Sequence, residues 1–195
     1  MKRIVVATNN KGKMKEIAKI LQGYELLTLK DISCDIEVEE DGKTFEENAM
    51  KKVSEIFKIT NIPCIADDSG ICINALNGWP GVYTARFLGE DATQEERNLK
   101  MIEELNLKNT ENRNAKVVCA IAYVDKEQSF FVEGIVNGKI VKEPRGENGF
   151  GFDEIFELEN GKTLAELSEE EKNQVSSRKM ALEKLKKLLW INKKW

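Results

Sequence analysis

The sequence contains no histidine among its 195 residues. This absence excludes Ser-His-Asp and Cys-His catalysis, and also zinc sites of the HExxH type. It removes the imidazole general base as well, so acid–base chemistry has to use Asp, Glu, Lys, Tyr or a metal-bound water. Hydrolysis assisted by a carboxylate and Mg²⁺ remains compatible with this composition.

Cysteine is scarce, and long apolar runs are missing. The four cysteines form no CxxC pair and three of them lie in apolar runs, which is typical of buried reduced thiols rather than of a zinc site. No apolar run approaches the length of a membrane span. The apolar run at residues 4–7 is too short to be the apolar region of a secretory signal. We therefore expect a cytoplasmic protein without a membrane partner.

A dominant charge is missing too. The chain has 30 Lys and Arg residues against 34 Asp and Glu residues, and its formal net charge is −4. Binding to nucleic acid would need a basic face, so we expect no nucleic-acid partner. With 41% hydrophobic residues, the chain is long enough for a single domain over residues 1–195 that has a substantial core.

Two adjacent carboxylates, Asp67 and Asp68, stand between two apolar runs. Together with Ser69 and Gly70 they predict a strand, a sharp polar break and a second strand. Neighbouring carboxylates repel each other, and a proton, a cation or a metal ion usually relieves the repulsion. Oxygen ligands suit Mg²⁺, which one or two carboxylates and substrate phosphates can hold. The alternative is a solvated turn, since Asp, Ser and Gly are common turn residues.

The N-terminal segment predicts a strand over residues 2–8, a small polar loop, and a helix from near Gly12 to near Gly23. A loop between a strand and a helix N-terminus commonly binds phosphate, because backbone N–H groups and the helix dipole attract the anion and lysines add charge. The spacing fits neither a Walker A loop nor a dinucleotide fingerprint. An Asn-rich turn with solvated lysines is the alternative.

The next predicted helix begins after Thr44, with Glu47 as the partner of Thr44 in a capping box. Asn48 and Lys52 lie four residues apart and therefore share one face of this helix. That face either lines a site or is the solvated side of the helix.

The middle of the chain predicts an amphipathic helix over residues 93–105, with Leu99 among its inward-facing positions. Two β-rich runs follow at residues 115–124 and 129–141, and residues 125–127 are suited to a hairpin turn between them.

A glycine-rich loop at residues 144–153 carries Phe150 and Phe152. Either ring stacks on a base, as aromatic side chains do in nucleotide sites, or both rings fill the core. The last helix begins near Ser177, and an apolar tail follows that could pack on the body or on a second subunit, formed by Trp190, Ile191 and Trp195.

Several short motifs occur together in one order along almost the whole chain. They are ATNNKGK (residues 7–13) with Glu16, EDGKTFEENA (40–49) with Lys52, ADDSG (66–70), PGVYTAR (80–86), GFGFD (149–153), TLAEL (163–167), Lys172 and SSR (176–178). Each motif alone is weak, but the ordered set is specific. The chain resembles the inosine triphosphate pyrophosphatase family, whose members are also called XTP/dITP diphosphatases.

The resemblance implies an α/β fold with a long, twisted, mixed central sheet flanked by helices, in two lobes with a nucleotide cleft between them. It implies a hydrolase that cleaves non-standard purine nucleoside triphosphates (ITP, dITP, XTP) to the monophosphate and pyrophosphate. It further implies Mg²⁺ as the cofactor and a homodimer as the assembly.

The resemblance also implies roles for individual residues. Asp68 is the expected catalytic base, and Glu40 and Asp68 are the expected metal ligands. The residues expected to bind the triphosphate or to lie near its phosphates are Thr8, Asn9, Asn10, Lys11, Gly12, Lys13, Lys52 and Ser69. Those expected around the base and sugar are Phe150, Gly151, Phe152, Asp153, Lys172, Ser177 and Arg178.

The chain departs from the family pattern at two places near the expected base site. Ser177 stands where the family usually has histidine, and Phe152 stands where it commonly has tyrosine, so the ring remains but the hydroxyl donor is lost. Two alternatives stay open. Ser177 favours a nucleotide pyrophosphatase with altered base selectivity, and the apolar tail with Trp190 and Trp195 favours a nucleotide-binding module without turnover.

Overall fold

The structure is a computed structural model that describes residues 2–89 and 91–191. The elements in the described residues are β1 (Lys2–Val6), α1 (Lys11–Ile20), β2 (Tyr24–Thr28), α2 (Phe45–Thr60), β3 (Cys64–Ile73), α3 (Gln94–Leu107), β4 (Asn114–Val124), β5 (Ser129–Ile140), β6 (Phe156–Glu157), α4 (Glu169–Val175) and α5 (Ser177–Ile191). Short 3₁₀ helices are formed by Asn74–Leu76, Gly81–Tyr83 and Leu164–Glu166.

The described strands form one six-stranded sheet in the order β2-β1-β3-β4-β5-β6. Strand β1 is parallel to both of its neighbours, with Val5 paired to Leu27 on one side and to Cys64 on the other. Strand β6 is antiparallel to β5. The sheet is therefore mixed, and helices occur between several of its strands along the chain. This arrangement confirms the predicted α/β class.

The chain divides into two compact units. The first unit comprises the described residues of Met1–Asp68, Cys119–Gly134 and Ser177–Trp195, and the second those of Ser69–Val118 and Ile135–Ser176. Two units agree with the two lobes that the resemblance implies. The nucleotide cleft and the single domain over residues 1–195 stay predictions.

The core of the first unit forms because β1 is apolar along its whole C-terminal half, as expected of a parallel strand covered on both faces. Helices α1 and α5 supply the apolar stripes that pack against it. The buried cluster comprises Ile4, Val6, Ile17, Leu21, Ile65, Cys119, Ile121, Tyr123, Val132, Ala181, Leu182, Leu185 and Leu189. This packing fixes the loop between β1 and α1 at both of its ends.

The core of the second unit takes its helical contribution from α3, where Met101, Ile102 and Leu105 are buried. The predicted inward position of Leu99 is wrong, because its side chain is 47% exposed. Asn98 is buried instead, so the buried stripe follows the spacing 98, 101, 102 and 105, and Leu99 falls beside it.

The predicted break at Asp67 and Asp68 is also wrong, since β3 runs without interruption from Cys64 to Ile73. Both aspartates are buried within this strand. Carboxylates can stay inside a strand when cations and N–H donors replace the water they lose. The partners that do so are described below.

The free thiols match the expectation from the sequence. Cys34, Cys64 and Cys119 are buried, Cys72 is half-buried, and all four are free. Burial raises the pKa of Cys64 and of Cys119 to about 12. In the described part of the chain, no helix combines the length and the apolarity that a membrane span requires. Trp190 is 63% exposed at the end of α5, whereas Trp195 and the side chain of Ile191 lie outside the described residues.

Candidate active site

The loop between β1 and α1 is organised by its own side chains. The hydroxyl of Thr8 accepts a hydrogen bond from the backbone N–H of Asn10 at 3.2 Å. The side-chain oxygen of Asn10 accepts from the N–H groups of Gly12 at 2.8 Å and Lys13 at 3.1 Å, which caps α1. Two N–H groups that the sequence predicted to face an anion therefore donate to Asn10. Asn9 and Asn10 in the loop are exposed, and so is Lys11, the first residue of α1.

Asp67 lies at the centre of a buried charge cluster in the first unit. Its Oδ2 atom lies 3.1 Å from the Lys13 ammonium and 3.0 Å from Nη2 of Arg178. Arg178 also contacts Glu16 at 2.8 Å. Burial alone would raise the pKa of Asp67, but Lys13, Arg178 and Lys52 outweigh burial and hold it well below its usual range. Asp67 therefore stays ionised, and it contacts two of the predicted ligand-binding residues, Lys13 and Arg178.

Asp68 lies next in β3, and alternation along a strand points its side chain to the opposite face from that of Asp67. The side-chain amide of Asn48 donates to Oδ2 of Asp68 at 2.8 Å. Burial raises the pKa of Asp68, Glu40 raises it further, and the attraction of Lys52 opposes both. A raised pKa makes this carboxylate a stronger base than an exposed aspartate, as expected of a proton acceptor.

Glu40 and Lys52 complete the polar cluster. The Lys52 ammonium donates to Oε1 of Glu40 at 2.7 Å and to the backbone carbonyl of Asp67 at 2.6 Å. Lys52 thereby joins the loop that carries Glu40 to the strand that carries both aspartates. The Asn48–Lys52 face of α2 therefore contacts Asp68 and Glu40 rather than being wholly solvated, and its place in a binding site stays a prediction.

The loop before α2 is held from both sides. Thr44 caps α2 by accepting from the N–H of Glu47 at 3.1 Å. The Glu47 carboxylate accepts from the N–H of Lys43 at 2.6 Å, so the reciprocal bond of the predicted capping box is shifted by one residue. Oδ1 of Asn48 accepts from the N–H of Gly42 at 2.8 Å, and this bond sets the distance between Glu40 and α2.

The donor set fits a hard divalent cation. Glu40 and Asp68 offer carboxylate oxygens, and they are close enough for Glu40 to raise the pKa of Asp68. Within residues 2–89 and 91–191, no cluster of three or more His, Cys, Asp or Glu residues is arranged to hold a metal. Two carboxylates plus oxygens of a bound phosphate are a ligand set that Mg²⁺ accepts, whereas a structural zinc site needs more protein ligands.

The second unit has a polar cluster of its own around Asp153, which is 4% exposed. Oδ2 of Asp153 accepts from the Lys172 ammonium at 2.6 Å and from the N–H of Phe150 at 2.7 Å. The ammonium also lies 4.2 Å from the centroid of the Phe150 ring, a cation–π distance. Asp153 thus fixes the predicted ligand residues Phe150 and Lys172 relative to each other.

The glycine-rich loop needs its glycines for this arrangement. Gly149 has φ +86°, and a Cβ atom there would lie 2.1 Å from Oδ2 of Asp153. The carbonyl of Gly151 accepts from the side-chain amide of the buried Asn98 at 3.1 Å. Of the two rings, Phe150 is 40% exposed and Phe152 packs against the core.

Two other predicted site residues, Ser69 and Ser177, lie in β3 and at the start of α5. Ser69 follows Asp68 in β3 and is half-buried in the second unit. Ser177 is the first residue of α5 and is 7% exposed.

Comparisons with known proteins identify the family of this chain. The sequence profile of the Ham1 family matches residues 4–188. This chain belongs to the Ham1 family.

The relatives of this Ham1-family chain resemble it over nearly their whole length. It is 50% identical over 190 residues to a dITP/XTP pyrophosphatase of Geobacter sulfurreducens, covering 95% of this chain and 96% of that protein. It is 46% identical to a dITP/XTP pyrophosphatase of Bacillus subtilis over 193 residues, covering 97% and 98%. The solved structure of the Staphylococcus aureus Ham1 protein matches with a TM-score of 0.91 and 40% identity, covering 98% of this chain and all (100%) of that one.

Three residues of the polar cluster described above were not among the site residues predicted from the sequence, namely Glu16, Asn48 and Asp67. Glu16 lies three residues after Lys13, so the two share a face of α1, and this spacing was the available signal. Asn48 was considered only together with Lys52, as a helix face that either lines a site or is solvated. For Asp67, nothing in the sequence indicates that the distant Arg178 is its partner.

Proposed function

We propose that this Ham1-family chain is a hydrolase that cleaves non-standard purine nucleoside triphosphates (ITP, dITP, XTP) to the monophosphate and pyrophosphate with Mg²⁺, and so cleanses the nucleotide pool. The observation that supports this most is the set of two carboxylates, Glu40 and Asp68, beside the ammonium groups of Lys13 and Lys52. The names of the curated relatives support the substrate class.

In the proposed reaction the first unit supplies charge and a base. Bound Mg²⁺, held by Glu40 and Asp68, would neutralise charge on the phosphates. Asp68 accepts the proton of the attacking water, whose oxygen forms the new bond to phosphorus while the α–β anhydride bond breaks and pyrophosphate leaves. Lys13 and Lys52 bind the negative oxygens, since phosphoryl transfer depends chiefly on positioning and charge neutralisation. Thr8, the loop from Asn9 to Gly12, and Ser69 add polar contacts to the phosphates.

We propose nucleoside-binding roles for some residues of the second unit and for others of the first unit. In the second unit, the exposed ring of Phe150 offers a stacking surface, Lys172 and Asp153 offer charged polar contacts, and Gly151 and Phe152 shape the loop. In the first unit, Ser177 and Arg178 contribute to base recognition. These roles follow the resemblance described above.

A substrate panel tests the proposal. The protein is incubated with ITP, XTP, GTP and ATP, each with Mg²⁺ or with a chelator, and the products are identified by phosphorus NMR. We expect pyrophosphate and the monophosphate from ITP and XTP, with no turnover under chelation. Release of orthophosphate and a diphosphate would contradict the proposed reaction.

Ser177 favours a second candidate, a pyrophosphatase with altered base selectivity. A serine hydroxyl is shorter than the usual imidazole and cannot carry a positive charge. Specificity is a ratio of kcat/KM values, so the same panel measures it directly. A ratio near one for ITP over ATP would favour this candidate over the first.

A nucleotide-binding module without turnover is the remaining candidate. Titration of the protein with ITP and Mg²⁺ in a calorimeter separates binding from catalysis. Binding heat without any product would favour the module, whereas product formation excludes it.

We further propose a homodimer located in the cytoplasm. The exposed Trp190 near the end of α5 offers apolar area for contact with a second copy. Sedimentation velocity over a range of concentrations tests the assembly, and a single monomeric species at all concentrations would contradict it.

A further inference from the structure

Asp67 stands out among the buried charges because it ties together three segments of the first unit. Its side chain is 1% exposed and belongs to β3. The same carboxylate oxygen, Oδ2, contacts the ammonium of Lys13 at the start of α1 and the guanidinium of Arg178 at the start of α5. The segments that carry these cations are far apart in sequence, so the carboxylate fixes them relative to each other.

The geometry of this contact differs from an ordinary structural ion pair. Arginine usually binds a carboxylate through two parallel hydrogen bonds, one to each oxygen. Here both Nε and Nη2 of Arg178 donate to Oδ2, at 3.2 Å and 3.0 Å. The other oxygen, Oδ1, is buried and has no hydrogen-bond partner among the described residues. Such an arrangement costs solvation that a bidentate pair would recover.

The two cations that Asp67 holds have different predicted tasks. Lys13 is 20% exposed and belongs to the proposed phosphate loop. Arg178 is 8% exposed and has a second anion, Glu16, at 2.8 Å. Arg178 therefore keeps Glu16 as a partner if the Asp67 charge is removed, whereas the ion pair that Lys13 makes within the described residues is the one to Asp67.

We propose that Asp67 is a positioning residue of the reaction, which aligns Lys13 with the phosphates and Arg178 with the base from one carboxylate. The inference rests on the proposed function. Asp67 itself does not touch the substrate, because its side chain is buried beneath these two residues. It acts through the orientation of the two cations, and mainly through Lys13.

A double-mutant cycle tests this role, because additivity fails when two residues act through one another. The variants are Asp67→Asn, Lys13→Met and the double variant, compared by kcat and KM for ITP. We expect Asp67→Asn to lower kcat/KM about tenfold or more in the wild-type background and by less than about threefold in the Lys13→Met background. We also expect it to lower the kcat/KM ratio of ITP over ATP, through Arg178.

Two controls separate positioning from folding. Asp125→Asn removes another hydrogen-bonded aspartate of the first unit, which accepts from the Tyr123 hydroxyl at 2.6 Å, and should leave kcat/KM unchanged. If Asp67→Asn does not fold, the same cycle is run with Asp67→Glu, which keeps the charge and moves the carboxylate by one methylene. We expect Asp67→Glu, like Asp67→Asn, to change kcat/KM less in the Lys13→Met background than in the wild-type background.

Equal fold-losses in both backgrounds, or an Asp67→Asn rate within about twofold of wild type, would overturn the inference and leave the proposed function intact. A wild-type protein that releases no pyrophosphate from any purine triphosphate would overturn the proposed function, and this inference with it.

Discussion

Both polar atoms of the Asn48 side-chain amide make hydrogen bonds. Its oxygen accepts from the N–H of Gly42 and its nitrogen donates to Asp68, each at 2.8 Å. The residue is fully buried, with 0% exposure. A buried amide with both ends satisfied orients its neighbours, and its removal takes one hydrogen bond from the Gly42 N–H and one from the Asp68 carboxylate.

We predict that Asn48→Ala slows the reaction and destabilises the fold. The loss of two buried hydrogen bonds should cost about 1–3 kcal/mol in the free energy of unfolding. Misplacement of Asp68 should lower kcat by about tenfold or more. Urea denaturation and initial rates with ITP measure the two effects.

The matched control for Asn48 is Asn106→Ala. Asn106 is exposed and accepts from Arg113 at 2.8 Å in the second unit. It should leave kcat unchanged and change stability by less than about 0.5 kcal/mol. Full activity of Asn48→Ala would count against a role for Asn48 at the site.

The sequence predicted the residues at this scale only where a motif carried them. The face shared by Asn48 and Lys52 was visible from their spacing, but spacing does not say which way a polar face points. The partners of Asp67 come from α1 and α5 and are brought to it by tertiary packing alone. Helical periodicity carries no information about such long-range pairs.

Among the elements, the glycine-rich loop makes the most specific demand on the sequence. Gly149 and Gly161 both have positive φ, +86° and +79°. A side chain at Gly149 would strike the Asp153 carboxylate, whereas nothing lies within 4 Å of a Cβ at Gly161. The two positions therefore share backbone strain and differ in the clash.

We predict that Gly149→Ala raises KM for ITP and that Gly161→Ala does not. Each variant should lose about 1–2 kcal/mol of stability from the left-handed backbone. Only Gly149→Ala should also displace Asp153 from Lys172 and Phe150. Thermal midpoints and KM values for both variants check this, and equal KM values would show that the Asp153 cluster does not bind substrate.

Strand β3 shows why element prediction failed where it did. Asp, Ser and Gly in succession favour a turn, yet the strand continues because Lys13 and Arg178 neutralise Asp67 and Asn48 donates to Asp68. Local propensity was overridden by partners elsewhere in the chain. Elements whose pattern was uninterrupted were predicted within a few residues, for example β4, β5 and the turn between them.

For the molecule as a whole, several carboxylates titrate below their ordinary pKa because they accept backbone hydrogen bonds. Bonds from Thr93, Thr163 and Ser168 lower the pKa of Glu96, Glu166 and Glu171, respectively. A lowered pKa in the folded state contributes stability above the unfolded value, and the contribution is lost as the pH falls through the folded value. Asp68, whose pKa is raised, acts in the opposite sense.

We therefore predict that the protein becomes less stable as the pH falls below about 4.5, because the lowered groups outnumber Asp68. Urea midpoints at pH 7, pH 5 and pH 3.5 measure this. The variant Glu171→Gln, which lacks one of these charges, should show a smaller loss between pH 7 and pH 3.5. Equal wild-type midpoints at these two pH values would contradict the prediction.

The most direct measurement is the rate of pyrophosphate release from ITP by Asp68→Asn under saturating Mg²⁺. Asparagine keeps the size of the side chain and removes its basicity, so the thermal midpoint should stay close to wild type. We predict a kcat about 10² to 10⁴ times lower than that of wild type, while Asp31→Asn, in the turn after β2, keeps the wild-type rate. A folded Asp68→Asn protein that releases pyrophosphate at the wild-type rate would contradict the account.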